Sequence, residues 1–158
     1  MQASATWQGG FRTELTDDRG HRVTVDLPLD EEGSDSGTSA LELSVLALAG
    51  CIVTIFLLIA RRRRVPIEAL SVDLEGHRPD GARTIERVDG HVTIETTAVP
   101  NEVDTVLRLT LRTCPVGVLF EQAGIPVEVT AVVRPPSSAA LPDGASAAQA
   151  ILASVADR

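Results

Sequence analysis

The stretch that decides the fold is GTSALELSVLALAGCIVTIFLLIARRRR, residues 37–64. Ser39 followed three positions later by Glu42 forms a capping box, which predicts that a helix begins here. Residues 43–60 carry no charge, and the four consecutive arginines that follow suit the negative end of a helix dipole. A proline shortly after them prevents the helix from continuing. The stretch therefore predicts one long helix, apolar on all sides, that ends at about Arg62.

Two environments suit such a helix. Eighteen uncharged residues are long enough to span a bilayer, and the arginines resemble a stop-transfer signal. However, Ser44, Cys51 and Thr54 interrupt the apolar run, and no Trp or Tyr belt flanks it. A helix enclosed by its own sheet and by a partner subunit is also apolar on all sides. We expect burial within protein, and a single-pass membrane protein is the alternative.

The rest of the sequence predicts a single α+β domain over residues 1–134. Apolar alternation and turn residues predict strands at Trp7–Leu15, Arg22–Leu27, Ile67–Leu74, Val88–Ala98 and Val127–Val133. Between the last two strands, residues 100–114 predict a second helix with Asn101 as its N-cap and Cys114 on its apolar face. Pro115 breaks that helix, and a short helical piece follows.

The segment after the last strand differs in composition. Residues 135–158 begin with Pro-Pro-Ser-Ser and are rich in alanine, so we predict a separate C-terminal tail. Within it, residues 146–155 form a sequence compatible with a short helix.

Composition excludes several classes of function. The net charge is −8 with a pI near 4.8, which argues against nucleic-acid binding because phosphates require a basic surface. Two cysteines are too few for a disulfide-rich secreted scaffold, and residues 1–10 lack the pattern of a signal peptide. The expected compartment is therefore the cytoplasm. His21, His77 and His91 have no metal-ligand spacing and no CxxC pair is present, so no metal site is expected.

Several motifs in the chain resemble one protein family. The run Gly37–Cys51, GTSALELSVLALAGC, is similar to the signature helix of OsmC/Ohr proteins, of which one branch reads roughly G-P-S-P-L-E-L-L-L-A-A-L-A-G-C. TCPV at residues 113–116 resembles the family's second cysteine site, and WQGG at 7–10 and GHRVTVD at 20–26 also fit. The resemblance implies an intertwined homodimer, in which two long central helices are wrapped by antiparallel sheets of both subunits.

The same resemblance implies a thiol peroxidase. Cys51 would attack an organic or hydrogen peroxide and become a sulfenic acid, and Cys114 would condense with it to form an intramolecular disulfide. An external dithiol would then reduce the disulfide, and no bound cofactor is expected. The alternative is a non-catalytic member of the same fold, a binding or scaffold protein in which both cysteines are inert apolar residues.

The activation of Cys51 is less well defined by the sequence. Cys51 lies in the middle of its helix, roughly 18 Å from the N-terminus, so the helix dipole stabilises its thiolate little. The resemblance implies an arginine held by a carboxylate, but the family's carboxylate position is Leu41 here. Glu42 lies nine positions before Cys51, about 180° around an ideal helix from it, and is either a cap or a catalytic group. Arg12 and Arg19 are either the activating cation or ordinary exposed charges.

Overall fold

A computed structural model describes residues 1–137 of the chain, which form an α+β structure. The elements in order are β1 (Ala3–Gly9), β2 (Arg12–Asp17), β3 (Arg22–Val25), α1 (Ala40–Arg63), β4 (Ala69–His77), β5 (Arg87–Glu95), α2 (Pro100–Thr113), α3 (Pro115–Gln122) and β6 (Val127–Arg134). The strands form two three-stranded sheets, β1-β2-β3 and β4-β5-β6. The α+β prediction is therefore confirmed, whereas the predicted helix at 146–155 lies outside the described residues.

Helix α1 begins at the predicted capping box. The backbone N–H of Glu42 donates to Ser39 Oγ at 3.2 Å, and the backbone N–H of Ser39 donates to Glu42 Oε2 at 2.7 Å. At the other end, Arg64 adopts a left-handed conformation with φ 59° and donates its N–H to the carbonyls of Ala60 and Arg61. Both ends of the helix thus satisfy backbone groups that have no partner within the helix.

Helix α1 buries one face and exposes the other. Leu48, Ile52, Phe56 and Ala60, spaced four residues apart, are each no more than 1% exposed and belong to the main hydrophobic core. We use the term open face for the opposite side, where Leu46, Leu57 and Leu58 are 57%, 42% and 46% exposed. The described residues of the chain therefore bury one face of this apolar helix and leave the opposite face exposed.

Helix α1 is long and apolar enough to cross a membrane by length and composition alone. The mean hydropathy of its most apolar 18-residue segment is 2.8, and 22% of that segment is buried within the described chain. The core helix of a soluble protein meets the same criteria, so these two properties do not distinguish between the environments.

The sheet β4-β5-β6 supplies the other wall of the core. Val88, Val92 and Ile94 of the central strand β5 are fully buried. Strand β4 pairs with β5 in the antiparallel sense, but β6 pairs with β5 in the parallel sense. The expectation of antiparallel sheets is wrong at β6, because α2 and α3 form a crossover connection that returns the chain in the same direction.

The sheet β1-β2-β3 differs from the sequence prediction. The expected single strand Trp7–Leu15 is wrong, because the chain reverses at Gly10 and Phe11, directly after Gly9. Gly9 and Gly10 have φ values of 107° and 56°. Positive φ angles favour glycine, and this two-residue turn joins β1 to β2 as an antiparallel hairpin. The indole Nε1 of Trp7 donates to the carbonyl of Gly10 at 2.8 Å and closes the turn.

This first sheet has no buried residue in the described part of the chain. Its large apolar side chains are open to solvent, with Trp7 72%, Phe11 51% and Val23 41% exposed. Three twisted strands need an apolar partner surface for stability. The sheet and the open face of α1 are thus two uncovered apolar surfaces on one chain.

Helix α2 confirms the predicted apolar face but not the predicted cap. Val103, Val106 and Leu107 are buried against the core. The N-cap is Val99 rather than Asn101, because Pro100 occupies the first helical position, where its missing N–H is not required.

Candidate active site

The two cysteines of the chain meet in the core. Cys51 is half-buried in the middle of α1, and Cys114 is 1% exposed at the junction of α2 and α3. Their Sγ atoms lie 2.8 Å apart, although 63 residues separate them in the sequence, and both are free thiols. A disulfide bond is about 2.05 Å long, so it requires a further approach of only about 0.8 Å.

The position of Cys114 follows from the proline beside it. Cys114 has φ −64° and ψ 112°, an extended conformation that ends α2 and makes the residue the N-cap of α3. Pro115 then occupies the first position of α3, as prolines commonly do. The backbone N–H of Gly117, in the first turn of α3, donates to Cys114 Sγ at 3.3 Å. The sulfur therefore lies at the positive end of a helix.

Burial raises the pKa of the Cys114 thiol to about 11, and its hydrogen bond with Cys51 contributes in the same direction. The hydrogen bond from Gly117 acts in the opposite direction. Cys114 is thus a neutral S–H group at neutral pH. Its thiol donates toward Cys51 Sγ.

The structure places Glu42 in the helix cap. Its Oε2 accepts the Ser39 N–H and, at 3.3 Å, the hydroxyl of Thr38. These hydrogen bonds, chiefly the one from the Ser39 backbone, lower the pKa of Glu42. Nine residues of α-helix separate it from Cys51, about 13 Å along the axis. The fold of the chain does not bring this carboxylate to the sulfur pair.

The two candidate arginines lie on the first sheet. Arg12 begins β2 and lines a shallow cleft together with Gln8 and Glu14. Arg19 lies in the turn between β2 and β3, where its Nε contacts Asp17 Oδ2 at 3.3 Å and its side chain is 75% exposed. Within residues 1–137, neither arginine forms a hydrogen bond or ion pair with Cys51.

A cavity of about 250 Å³ adjoins Cys114. Leu48 and Ile52 of α1 line one side, and Gly117 and Glu121 of α3 line the other. No sequence motif marks Gly117 or Glu121 as a site residue. Their spacing does contain a signal. In a helix that starts at Pro115, Gly117 and Glu121 are four residues apart and therefore lie on the same side.

Comparison with known proteins identifies the family. The family model described as OsmC-like protein matches residues 33–130, more than half of the chain. A comparison with curated protein sequences finds no match.

Solved structures of the same fold resemble this one closely despite low sequence identity. An OsmC-like protein from Mycoplasma pneumoniae has a TM-score of 0.74 at 17% identity, covering 84% of this chain and 95% of that one. An organic hydroperoxide resistance protein OsmC from Legionella pneumophila has 0.66 at 19%, covering 84% and 96%. An organic hydroperoxide resistance protein from Elizabethkingia anophelis has 0.67 at 20%, covering 84% and 94%. Together with the family match, they show that the chain belongs to the OsmC-like family.

Proposed function

We propose that this protein is a thiol-dependent hydroperoxide reductase in which Cys51 reacts with the peroxide and Cys114 resolves the product. The observation that carries the proposal is the 2.8 Å separation of the two Sγ atoms. Structural relatives that are organic hydroperoxide resistance proteins support a peroxide-related redox role at the level of the family.

The reaction proceeds in three steps. The Cys51 thiolate attacks the terminal oxygen of ROOH, the O–O bond breaks, and RO⁻ takes up a proton and leaves as ROH. The sulfenic acid formed on Cys51 is then attacked by Cys114 Sγ; the S–O bond breaks, water leaves and a disulfide forms. An external dithiol finally reduces this disulfide and is itself oxidised. No cofactor takes part.

The short distance between the sulfurs matters most in the second step. A neutral thiol is a weak nucleophile, so Cys114 must lose its proton as it attacks. The departing hydroxyl group of the sulfenic acid accepts that proton and leaves as water. The N–H of Gly117 then faces the negative charge that develops on Cys114.

A homodimer is part of the proposal. The open face of α1 presents Leu46, Leu57 and Leu58, and the first sheet presents Trp7 and Phe11. A second copy of the chain is the partner that the family resemblance implies, and its own open face and first sheet supply complementary apolar surface. Cys51 is half-buried and lies on α1 at the boundary between its buried face and its open face. The reactive sulfur would therefore lie near this interface.

The proposed compartment is the cytoplasm, with α1 enclosed by protein. Members of the family are soluble proteins. The competing interpretation is a single-pass membrane protein, and expression without detergent distinguishes the two. A monodisperse soluble protein supports the proposal, whereas recovery only from the membrane fraction contradicts it.

The enzymatic proposal is tested by mass spectrometry under non-reducing conditions. Reduced protein is mixed with one equivalent of cumene hydroperoxide, and the intact mass and free thiols are measured. We expect the loss of both thiols and of two hydrogen atoms, with a peptide that joins Cys51 to Cys114 after digestion. Survival of both thiols would refute the proposal.

One observation favours a second candidate, a non-catalytic binding or scaffold protein. The family's carboxylate position holds Leu41, and Leu41 and Glu42 line a groove of about 990 Å³ between the N-terminal end of α1 and β4. The rate at which iodoacetamide alkylates Cys51 at pH 6 separates the candidates. A rate well above that of free glutathione supports the peroxidase, and an equal or lower rate supports the binding protein.

A further inference from the structure

The C-terminal end of α1 carries four consecutive arginines, Arg61–Arg64. All four are exposed, and within residues 1–137 none of their side chains forms a hydrogen bond or an ion pair. Three other arginines do form ion pairs with carboxylates: Arg19 with Asp17, Arg22 with Glu14, and Arg87 with Asp89. The described part of the chain therefore leaves the end of α1 as a cluster of positive charge without a counter-charge.

Neighbouring segments meet at the same end of the molecule. The Thr96 hydroxyl donates to the carbonyl of Pro66, two residues past the arginines, and the Thr96 N–H donates to the carbonyl of Arg134 at 3.1 Å. Arg134 is exposed, and Val99, three residues after Thr96, is 59% exposed. We use the term basic end for Arg61–Arg64, Pro66, Val99 and Arg134.

The basic end is positive although the whole chain has a net charge of −8. Five arginines face three acidic side chains on the segments that meet there, Glu68, Glu95 and Glu102. The acidic loop, residues 30–35, precedes the other end of α1, a helix of 24 residues and about 36 Å. Electrostatic interactions are screened over about 8 Å at physiological ionic strength. The acidic loop therefore contributes little to the potential at the basic end.

Arg64 has a conformation that is unusual for an arginine. It is the C-cap of α1 and lies in the left-handed region, with φ 59° and ψ 32°. Glycine adopts this conformation without the steric cost of a Cβ atom and is common at such helix ends. The helix dipole favours cations mainly in the last turn, where Arg61–Arg63 already provide three. Arg64 thus gains little from the helix, but it extends the positive cluster beyond it.

The shape of the basic end indicates the kind of partner that fits it. Arg61–Arg63 follow one another in steps of 100°, so they spread around the helix end instead of forming a stripe on one face. None of the four arginines lines the cavity beside Cys114, the groove at the N-terminal end of α1 or the cleft at Arg12. Exposed cations without a groove suit a flat array of negative charges, and the exposed Val99 suits the apolar layer beneath such charges.

We propose that the basic end docks this protein on an anionic lipid bilayer. The C-terminal end of α1 faces the phosphate headgroups, and the acidic loop faces the solution. Each basic side chain near an anionic membrane surface strengthens binding about fivefold, and the cytoplasmic leaflet carries such a surface. The binding is peripheral, so α1 itself stays enclosed by protein. It does not depend on the chemistry of the two cysteines.

Co-sedimentation with large unilamellar vesicles tests the docking. The full chain is kept reduced and no peroxide is added, so the result is independent of the proposed peroxidase activity. The vesicles contain phosphatidylcholine alone or phosphatidylcholine with about 30% phosphatidylglycerol. We expect binding to the anionic vesicles at about 50 mM KCl, loss of that binding at about 500 mM KCl, and no binding to the neutral vesicles.

Charge-neutralising variants identify the surface. Arg61→Gln should lower the partition coefficient on anionic vesicles about fivefold, and Arg61→Gln with Arg62→Gln about 25-fold. Arg83→Gln is the matched control, because Arg83 is an exposed arginine on the loop between β4 and β5. That loop lies at the other end of the molecule, where Gly76 approaches Val45 in the N-terminal half of α1. The control should change the partition coefficient less than twofold.

Arg64→Gly separates docking from folding. Glycine removes the steric cost of the left-handed conformation, so the melting temperature of this variant should equal or exceed that of the wild type. Its partition coefficient on anionic vesicles should nevertheless fall about fivefold, because one charge of the basic end is lost. Unchanged binding in this variant would contradict a role of Arg64 in docking.

Four results would overturn the proposal as a whole. The first is the absence of binding to anionic vesicles at the lower salt concentration. The second is equal binding to neutral and anionic vesicles, which would indicate insertion of α1 as in a single-pass membrane protein. The third is an equal loss of binding in Arg61→Gln and Arg83→Gln, which would make net charge the cause. The fourth is tighter binding to a DNA duplex than to anionic vesicles at the same salt concentration, which would make the partner a nucleic acid.

Discussion

Cys114 donates its thiol hydrogen toward Cys51 Sγ across 2.8 Å, and the backbone N–H of Gly117 donates to Cys114 Sγ at 3.3 Å. The three groups form a short chain of hydrogen bonds from the first turn of α3 to the middle of α1. The two sulfurs therefore have different surroundings, because Cys114 is buried at a helix N-terminus and Cys51 is half-buried in a helix interior.

The first prediction separates the roles of the two cysteines. Cys114→Ser should let Cys51 react with peroxide but stop at the sulfenic acid, because no second thiol is in reach. Dimedone labelling of Cys51, measured by mass spectrometry, should be near stoichiometric in this variant. Cys51→Ser should leave Cys114 unlabelled by dimedone; labelling of Cys114 instead would reverse the proposed order.

The second prediction concerns the pH dependence of Cys114. Since its pKa is raised to about 11, alkylation of Cys114 in the reduced protein should stay slow through neutral pH and accelerate only as the pH approaches that value. Mass spectrometry of the two cysteine peptides after short iodoacetamide pulses gives each rate separately. Fast alkylation of Cys114 at pH 8 would contradict the burial described here.

The third prediction tests Glu42 as a cap. Because its pKa is lowered in the folded state, its contribution to stability is present above the unfolded value of about 4.3 and is lost as the pH falls through the folded value. Glu42→Gln should therefore lower the free energy of unfolding at pH 7, with the difference from wild type disappearing in acid. Urea titrations of both proteins at pH 7 and pH 3 measure the free energy of unfolding at each pH.

Ser39→Ala is the matched variant for the same cap. Loss of the Ser39 Oγ acceptor should cost about 1 kcal/mol at pH 7. Both variants should lose stability but should react with peroxide at Cys51 as fast as the wild type does. A Glu42→Gln variant of normal stability with a greatly reduced peroxide rate would establish a catalytic role for the carboxylate instead.

The fourth prediction concerns the open face of α1. Leu58→Glu places a charge on a surface that a second copy is proposed to cover, so the dimer should dissociate or the chain should aggregate. Analytical ultracentrifugation measures the change. Ser71→Glu, on an exposed position of β4, is the control and should not alter the oligomeric state.

The sequence predicted the elements that have strong local signals. The capping box, the arginines and the apolar run define α1 to within two residues at each end, because each is a short-range property of the chain. The pairing of Cys51 with Cys114 came from family resemblance, and the structure brings the two sulfurs together.

Other features depend on interactions that a local pattern does not contain. The alternation from Trp7 to Leu15 continues through Gly9 and Gly10, so it hides the reversal of the chain that those glycines permit. The parallel direction of β6 depends on the crossover through α2 and α3. The cavity beside Cys114 depends on α1 meeting α3, and so Gly117 and Glu121 could be recognised only in the folded protein.

The proposed disulfide would also be a covalent cross-link that stabilises the fold. It would connect the central helix to the end of α2 and enclose a loop of about sixty residues, which by chain entropy is worth about 4 kcal/mol against unfolding. The oxidised chain should therefore melt at a higher temperature than the reduced chain. Each catalytic cycle would form and then break this cross-link in the core, so the melting temperature of a sample would depend on the fraction of its molecules that are oxidised.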